Sequence, residues 1–487
     1  MPSTAAPPLD VDVLVVGAGI SGVDAACRLS MHCRDTVWAV LEARDAMGGT
    51  WDLFRYPGIR SDSDMYTLGF PFRPWRGRSS IASAAEIRDY VRETADAYGV
   101  TERTHHGQRV ERLEWSSGHR RWSVTARTAR GTVTHTARLV YLATGYYSYA
   151  SGHVVDLPGR EDFAGDVVHP QDWPDGMPVA GRRVVVLGSG ATAVTLLPAL
   201  VEQGAEHVTM LQRSPSYVVA LPSGDAVADA LRRVLPDPVA HRVVRAKNVA
   251  LSTAAYRLMR RRPDLGRRLL RRRARRLLPE GYAVDTHFAP RYDPWDQRLC
   301  VARDGDFFAA ISAGRADVVT DTVQRLERDG IRLTSGGHLP ADLVVTATGL
   351  RMEVGGGTEV VVDGQVVDVS QGHVYKGLML SDVPNAALAV GYTNASWTLR
   401  ADLSARWFCS LVRFMERKGY AVATPRYDEV GVASTPLLDL TSGYVQRGAH
   451  LLPRQGQRAP WRVVQSYAHD LAVMRLGRID DGRLELR

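Results

Sequence analysis

Behind a proline-rich tip, MPSTAAPPLD, which its composition marks as disordered, the first regular pattern is an apolar and β-branched run interrupted only by Asp12, Val11 to Val16. Such a run suits a strand buried on both faces of a parallel sheet. It stops at Gly17-Ala-Gly19-Ile-Ser-Gly22, and helical spacing takes over from Val23 to Leu29. A second apolar run, Val37 to Leu41, ends in Glu42. The same order then recurs: Arg183 to Leu187, Gly188-Ser-Gly190-Ala-Thr-Ala193, and His207 to Gln212 ending in Arg213. Each copy returns later through an apolar run closed by Ala-Thr-Gly, Leu139 to Gly145 and Leu343 to Gly349. Between the copies' halves, His241 to Leu278 reads helical with a break at Pro263; Leu265, Leu269, Leu270, Ala274, Leu277 and Leu278 form one apolar face and arginines cover the rest.

A strand, a glycine turn and a helix are the parts of a dinucleotide site. The first glycine makes the tight turn, the second admits a pyrophosphate, and the third lets helix and strand pack closely; an alanine such as Ala193 is tolerated there. The helix N-terminus then faces the phosphates. What separates the two copies is the residue ending the second strand: Glu42 stands 25 positions after Gly17, and Arg213 stands 25 after Gly188. A carboxylate accepts free ribose hydroxyls, whereas an arginine with a neighbouring hydroxyl, Ser214, suits a 2′-phosphate. The pattern therefore predicts FAD on the first copy and NADPH on the second, with a solvated surface arginine as the plainer reading of Arg213. The fold class follows: α/β, two Rossmann-like dinucleotide-binding domains with a helical insertion. The spans are 10–150 for the first part of the FAD domain, 151–220 for the linker and first part of the NADP domain, 221–299 for the insertion, 300–384 for the rest of the NADP domain, and 385–487 for the C-terminal part of the FAD domain.

Composition narrows the class. With 487 residues, 45% of them hydrophobic, the chain is expected to hold about three domains, or two large ones, and is ordinary globular material. No apolar run reaches the ~18–20 residues of a membrane span, and the N-terminal tip lacks the basic start of a secretory signal, so a cytoplasmic protein is expected. Four cysteines without CxxC spacing offer neither a zinc site nor a dithiol centre. The net charge of +8 is concentrated between Arg257 and Arg276, where eleven arginines face one acid, Asp264. The remainder is about neutral, so a nucleic-acid surface is not implied. The segment reads first as a solvated helical insert packed on the NADP domain, and second as a peripheral membrane contact.

At this point the chain resembles the two-dinucleotide flavoproteins. Gly391 to Asp402 then reads as a loop entering a helix capped by Asn394 or Ser396, and the resemblance implies that this N-terminus faces the flavin pyrimidine. The disulfide-reducing branch is closed, because Gly48-Gly49-Thr50 is followed by Trp51-Asp-Leu-Phe-Arg-Tyr-Pro57 without a cysteine. The linker Phe163-Ala-Gly165-Asp-Val-Val-His169-Pro-Gln-Asp-Trp173-Pro174 resembles the FxGxxxHxxxWP fingerprint of type I Baeyer-Villiger monooxygenases. Met47 to Tyr66, Tyr292 to Cys300 and Gly391 to Trp397 are similar to the ethionamide-activating subgroup. The resemblance implies that His169 couples domain motion to NADPH, a role compatible with plain linker packing. It also implies that Gly49, Thr50 and Trp51 meet the flavin, that Arg298 is the active-site arginine, and that Asp62 pairs with it. One departure stands out: many relatives carry Lys before that arginine to help hold the 2′-phosphate, and this chain has Gln297, so NADPH preference leans on Arg213 and Ser214.

The implied chemistry explains the residue types. Reduced flavin and O2 form a C4a-peroxide that must stay deprotonated and dry to attack a carbonyl. Arginine stays protonated and stabilises developing oxyanions without acting as an acid. Asp62 would fix the guanidinium; a buried salt bridge that merely positions two segments is the alternative. The expectation is insertion of one oxygen atom into ketones, giving esters or lactones, with sulfide oxidation as well. A heteroatom N- or S-oxygenase and a non-catalytic flavin sensor are the alternatives. The expected partners are a small ketone or sulfide and O2, with no nucleic acid and the oligomeric state open.

Overall fold

The computed structural model of the protein describes residues 7–429, 431–438 and 441–487; residues 1–6 of the proline-rich tip lie outside the described residues. Two sheets with parallel cores each grow from one copy of the repeated pattern. In the first, Asp10–Val16 runs parallel to Trp38–Leu41 on one side and Gly131–Leu142 on the other, with Val13 opposite both Trp38 and Leu139. Val13 and Val15 enter one core while Leu14 and Val16 enter another, which is why both faces of the strand must be apolar. The second sheet is five-stranded and parallel, in the order Ala316–Thr320, His207–Gln212, Arg183–Leu187, Leu343–Val345, Asp166–Val168. Again alternate residues part: Val184 and Val186 to one side, Val185 and Leu187 to the other.

The Ala-Thr-Gly strand ends have a packing role. Gly17 has φ +100°, and a Cβ on it would lie 2.7 Å from the Ala143 carbonyl oxygen; at Gly188, with φ +134°, the distance to the Ala347 oxygen would be 2.4 Å. Each return strand thus presses on the first glycine of its own module. Directly after these tripeptides the chain crosses between modules twice, and the crossings Tyr147–Gly152 and Leu350–Met352 pair antiparallel.

Two expectations change. The chain rejoins the first sheet before residue 385: Glu359–Val362 runs parallel to Arg109–Ser116, with Glu359 opposite Arg112. Part of the span 300–384 therefore belongs to the first sheet, because Arg109–Ser116 leaves a row of backbone groups for an added strand. The insertion, helices Ala226–Val234, Asp237–Arg261 and Pro263–Leu277, packs on both modules rather than on the NADP module alone. Arg245 Nη1 in the long helix donates to the carbonyls of Tyr66 and Gly69, both at 2.7 Å, and Asn248 donates to Asp64 at 2.9 Å. Ala274 and Leu278 join the core of the second module. The apolar face expected of the last helix is only partly covered: Leu270, Ala274 and Leu278 are buried, but Leu265, Leu269 and Leu277 are 36%, 48% and 37% exposed. Its contact is one stripe of four-residue spacing, too narrow to cover their side of the helix. Among the described residues no helix is long and apolar enough to cross a membrane.

Candidate active site

The first glycine loop is closed to side chains. A Cβ on Gly22 would stand 1.8 Å from the Gly17 oxygen, and one on Gly49 would stand 2.9 Å from the Gly19 Cα. Gly19 occupies the N-cap of helix Ile20–His32 without a side-chain cap, so that helix's first amides remain for a ligand. Glu42 is buried, and its carboxylate accepts from the amides of Ala18 at 2.7 Å and Arg44 at 2.9 Å. Those bonds aim the group and leave further lone pairs for ribose hydroxyls. Gly49, Thr50 and Trp51 open the short helix Thr50–Leu53, which Asp52 secures by ion pairs to Arg44, Arg55 and Arg92.

A cavity of about 240 Å³ lies beside this loop, bounded by Gly49, Trp51, Asp62, Tyr146, Arg298 and Trp397, with Ala191 and Thr195 of the second module on its wall. The fold thus brings Asp62 and Arg298, 236 positions apart, into one chamber. They form no direct ion pair, which corrects the expected salt bridge. Arg298 Nη2 instead donates to the Tyr392 carbonyl at 2.9 Å, and its Nε is buried without a partner. Burial opposes the charge on Arg298, but the phenols of Tyr146, Tyr444 and Tyr147 and the carboxylate of Asp62 outweigh it and raise its pKa. Burial pushes the Asp62 carboxyl up to about 6, against the pull of Arg298 and Arg60.

The tyrosines escaped the sequence reading. Tyr147 donates to the Tyr146 hydroxyl at 3.0 Å, and Tyr146 stacks on Trp397 with ring centroids 4.8 Å apart. Their signal was position: they directly follow the first Ala-Thr-Gly. Tyr444, about 300 residues further on, carried no such mark. The cap assignment also changes. Ser396 precedes helix Trp397–Lys418 but makes no cap bond; its hydroxyl meets Thr67 Oγ1 at 2.6 Å, and Asn394 donates to the Gln465 carbonyl at 2.9 Å. Neither Asn394 nor Gln297 lines the cavity.

On the second module Gly190 also precedes its helix, Ala191–Glu202, without a side-chain cap, and nothing lies within 4 Å of where its Cβ would sit. Ala193 is fully buried, whereas Arg213 and Ser214 are exposed at the strand end. Ser189 Oγ donates to the Ser214 carbonyl at 3.1 Å, tying the loop to that end. This open cradle with a free cation fits a phosphorylated dinucleotide.

The fingerprint linker runs between the modules. Phe163 is buried in the core beside Val185 and Leu187, and a Cβ on Gly165 would stand 2.4 Å from the Asp342 oxygen. Trp173 packs on the other face and Pro174 is exposed. Burial holds the His169 imidazole below its ordinary pKa, consistent with its bonds as a neutral ring. Nε2 donates to the Gly349 carbonyl at 3.2 Å and Nδ1 accepts from the Gln171 amide at 3.1 Å. A Cβ on Gly152 would lie 1.9 Å from this ring. His169 therefore touches both crossings.

The chain is similar to known proteins. Residues 81–231 match the flavin-binding monooxygenase-like family, and residues 15–76 match the NAD(P)-binding Rossmann-like domain. The chain is 48% identical to the FAD-containing monooxygenase EthA of Mycobacterium tuberculosis over 471 residues, 97% of this chain and 96% of the relative. An oxidised steroid monooxygenase bound to NADP superposes with a TM-score of 0.76 at 21% identity, covering 98% of this chain and 99% of that one. Cyclohexanone monooxygenase bound to ε-caprolactone gives 0.76 at 19% identity, covering 98% and 100%. Across almost its whole length, then, this chain belongs to the FAD-containing monooxygenases of the EthA group, on the two-dinucleotide fold of the type I Baeyer-Villiger enzymes.

Proposed function

We propose that this FAD-containing monooxygenase consumes NADPH to insert one oxygen atom of O2 into ketones, giving esters or lactones, and that it also oxidises sulfides. Gly17, Gly19, Gly22 and Glu42 hold the FAD, with Gly49, Thr50 and Trp51 alongside, while Gly188, Gly190, Ala193, Arg213 and Ser214 hold NADPH. The bound flavin, reduced by NADPH, supplies the activated oxygen; the second oxygen atom leaves as water. The protein supplies the charge. The observation that carries the reading is Arg298: a guanidinium in the flavin-side cavity, bound to a neutral carbonyl and with Nε unpartnered. Such a cation has unspent donors for the anionic oxygen of a carbonyl under attack. Tyr146, Tyr147 and Trp397 add aromatic surface to the cavity wall.

The test uses holoenzyme, NADPH, labelled O2 and both a cyclic ketone and an aryl sulfide. An ester carrying one labelled atom is expected. Sulfoxide alone would make the protein a heteroatom oxygenase, and NADPH oxidation with neither product would reject both.

The buried, free cysteines support a place in the cytoplasm. The insertion adds a second reading, contact with an anionic membrane surface. Leu251 and Leu258 are 61% and 49% exposed, and Arg257, Arg261, Arg272, Arg273 and Arg276 have no carboxylate partner among the described residues, unlike Arg260, Arg267, Arg271 and Arg275, a combination suited to lipid tails and phosphate heads. Sedimentation with vesicles containing anionic lipid, lost at high salt, is the expected result; equal recovery with neutral vesicles would reject it.

A further inference from the structure

A second cavity, of about 60 Å³, lies against the first sheet, where Leu113, Leu142 and Val360 line it, with Val390 and Pro453 of the C-terminal part on its wall. Its lining side chains are apolar except that of Thr358, whose hydroxyl is spent on the Val110 carbonyl at 3.2 Å. Water would find no side-chain partner there. Apolar cavities of this kind stay dry and take up apolar guests such as xenon. Because a cavity of about 150 Å³ holds one benzene, a cavity less than half that size excludes a ring as large as a cyclic ketone and admits only a much smaller apolar molecule.

The cavity ends one residue from the chamber that holds Arg298. Leu142 lines the apolar cavity, whereas Ala143 and Gly145 line the chamber. Thr144 stands between them, and Gly356 packs on it: a Cβ there would lie 3.2 Å from the Thr144 Cβ and Cγ2. Gly355, the neighbour of Gly356, again lines the apolar cavity. Val354 and Val390, also on that lining, pack in one cluster with Tyr146, which lines the chamber. At the other end Val360 and Val369 are half-buried. The apolar space thus spans from near the surface to a wall one residue thick.

One substrate of a monooxygenase matches this size and chemistry. O2 is small and uncharged, and it moves from water into apolar surroundings without losing hydrogen bonds. We propose that the cavity binds O2 and delivers it past Thr144 to the flavin, apart from the opening through which the organic substrate enters. The inference rests on reading the Arg298 chamber as the place where reduced flavin meets O2.

The test has a structural and a kinetic arm. Crystals of the oxidised holoenzyme are pressurised with xenon, and reduced holoenzyme is mixed with O2 at several concentrations. Xenon is expected between Leu142 and Val360. Val360→Phe and Val369→Phe each put a ring into the cavity from its half-buried end, with flavin content, melting temperature and the rate of reduction by NADPH as controls. Each should abolish the xenon site and slow the second-order reaction with O2 by about 3- to 10-fold, equivalent to about 0.7–1.4 kcal/mol on the entry barrier. The KM for O2 should rise in step while kcat at saturating O2 holds. A wild-type cavity that stays empty under xenon overturns the proposal, as do unchanged O2 rates in the filled, folded variants. Ester formation by the wild-type holoenzyme, measured alongside, reads the chamber separately. If ester forms and the filled variants keep their O2 rates, only the O2 route falls; if no ester forms and Arg298→Ala changes nothing, the reading of the chamber falls and the route with it.

Discussion

Asp62 and Arg298 line the same cavity without bonding to each other: the arginine gives its Nη2 to the Tyr392 carbonyl, and the carboxyl, raised to about 6 by burial, stands as a separate charge. The pair therefore behaves less as a structural salt bridge than as two independently placed groups facing one chamber. Arg298 keeps donors to spare, and Asp62 tunes the charge around it.

The first consequence concerns Arg298→Ala. Both glycine loops, Glu42 and Arg213 remain, so the variant should bind FAD and be reduced by NADPH. Losing one donor to a developing oxyanion typically costs ~3–4 kcal/mol, about 10² to 10³ in rate. NADPH should be consumed with release of H2O2 and little ester. Ketone oxygenation near the wild-type rate would reduce Arg298 to a structural residue.

Asp62 sets a pH dependence. Its folded pKa of about 6 lies above the ordinary 3.8, so the folded state binds the proton more tightly than the unfolded one. The ionised form costs stability above pH 6, and that cost fades as pH falls toward 4. Asp62→Asn should melt higher than wild type at pH 8 by about 1 kcal/mol, after allowing for water in the cavity, with the gap narrowing at pH 5. Its H2O2 yield should exceed that of wild type at pH 8. A constant melting gap from pH 5 to 8 would contradict the raised pKa.

Cofactor choice should follow Arg213. Arg213→Ala removes a charge-assisted contact worth ~1.5–3 kcal/mol, so the KM for NADPH should rise about 10- to 100-fold while use of NADH stays nearly constant. Parallel losses for both cofactors would leave Arg213 a solvated surface residue.

His169 can be probed from two sides. His169→Ala should keep its flavin yet lose NADPH affinity or turnover, since no glycine loop is touched. Gly152→Ala should reproduce that phenotype, because the new Cβ would fall 1.9 Å from the imidazole and push it off the Gly349 carbonyl. Wild-type steady-state kinetics in both variants would limit the fingerprint to packing.

The third glycine gives the steepest contrast between modules. Gly22→Ala would set a Cβ 1.8 Å from the Gly17 oxygen, and colourless protein without FAD is expected. Ala193→Gly removes a methyl group from a module that already accommodates it, and should cost at most about 1 kcal/mol through helix propensity. Yellow, flavin-loaded Gly22→Ala protein would show that the loop adjusts.

Much of this molecule was written locally. Val11 to Val16 and Arg183 to Leu187 announce buried parallel strands because burial on both faces leaves no polar alternation; Gly17 and Gly188 mark turns, and Gly22 a helix packed against the loop, whose geometry excludes a Cβ. Glu42 and Arg213 stand at the ends of equivalent strands, so spacing alone places them. Features that depend on distant partners were not legible. The Arg298 donor goes to a backbone carbonyl at Tyr392, and carbonyls have no sequence signature. Glu359–Val362 joins a sheet edge laid down some 250 residues earlier; Tyr444 approaches Arg298 from a short helix without a motif; and Leu265 and Leu269 stay exposed on a face whose spacing predicts burial. Spacing encodes which face a residue occupies, but only the packing of distant segments decides what covers that face.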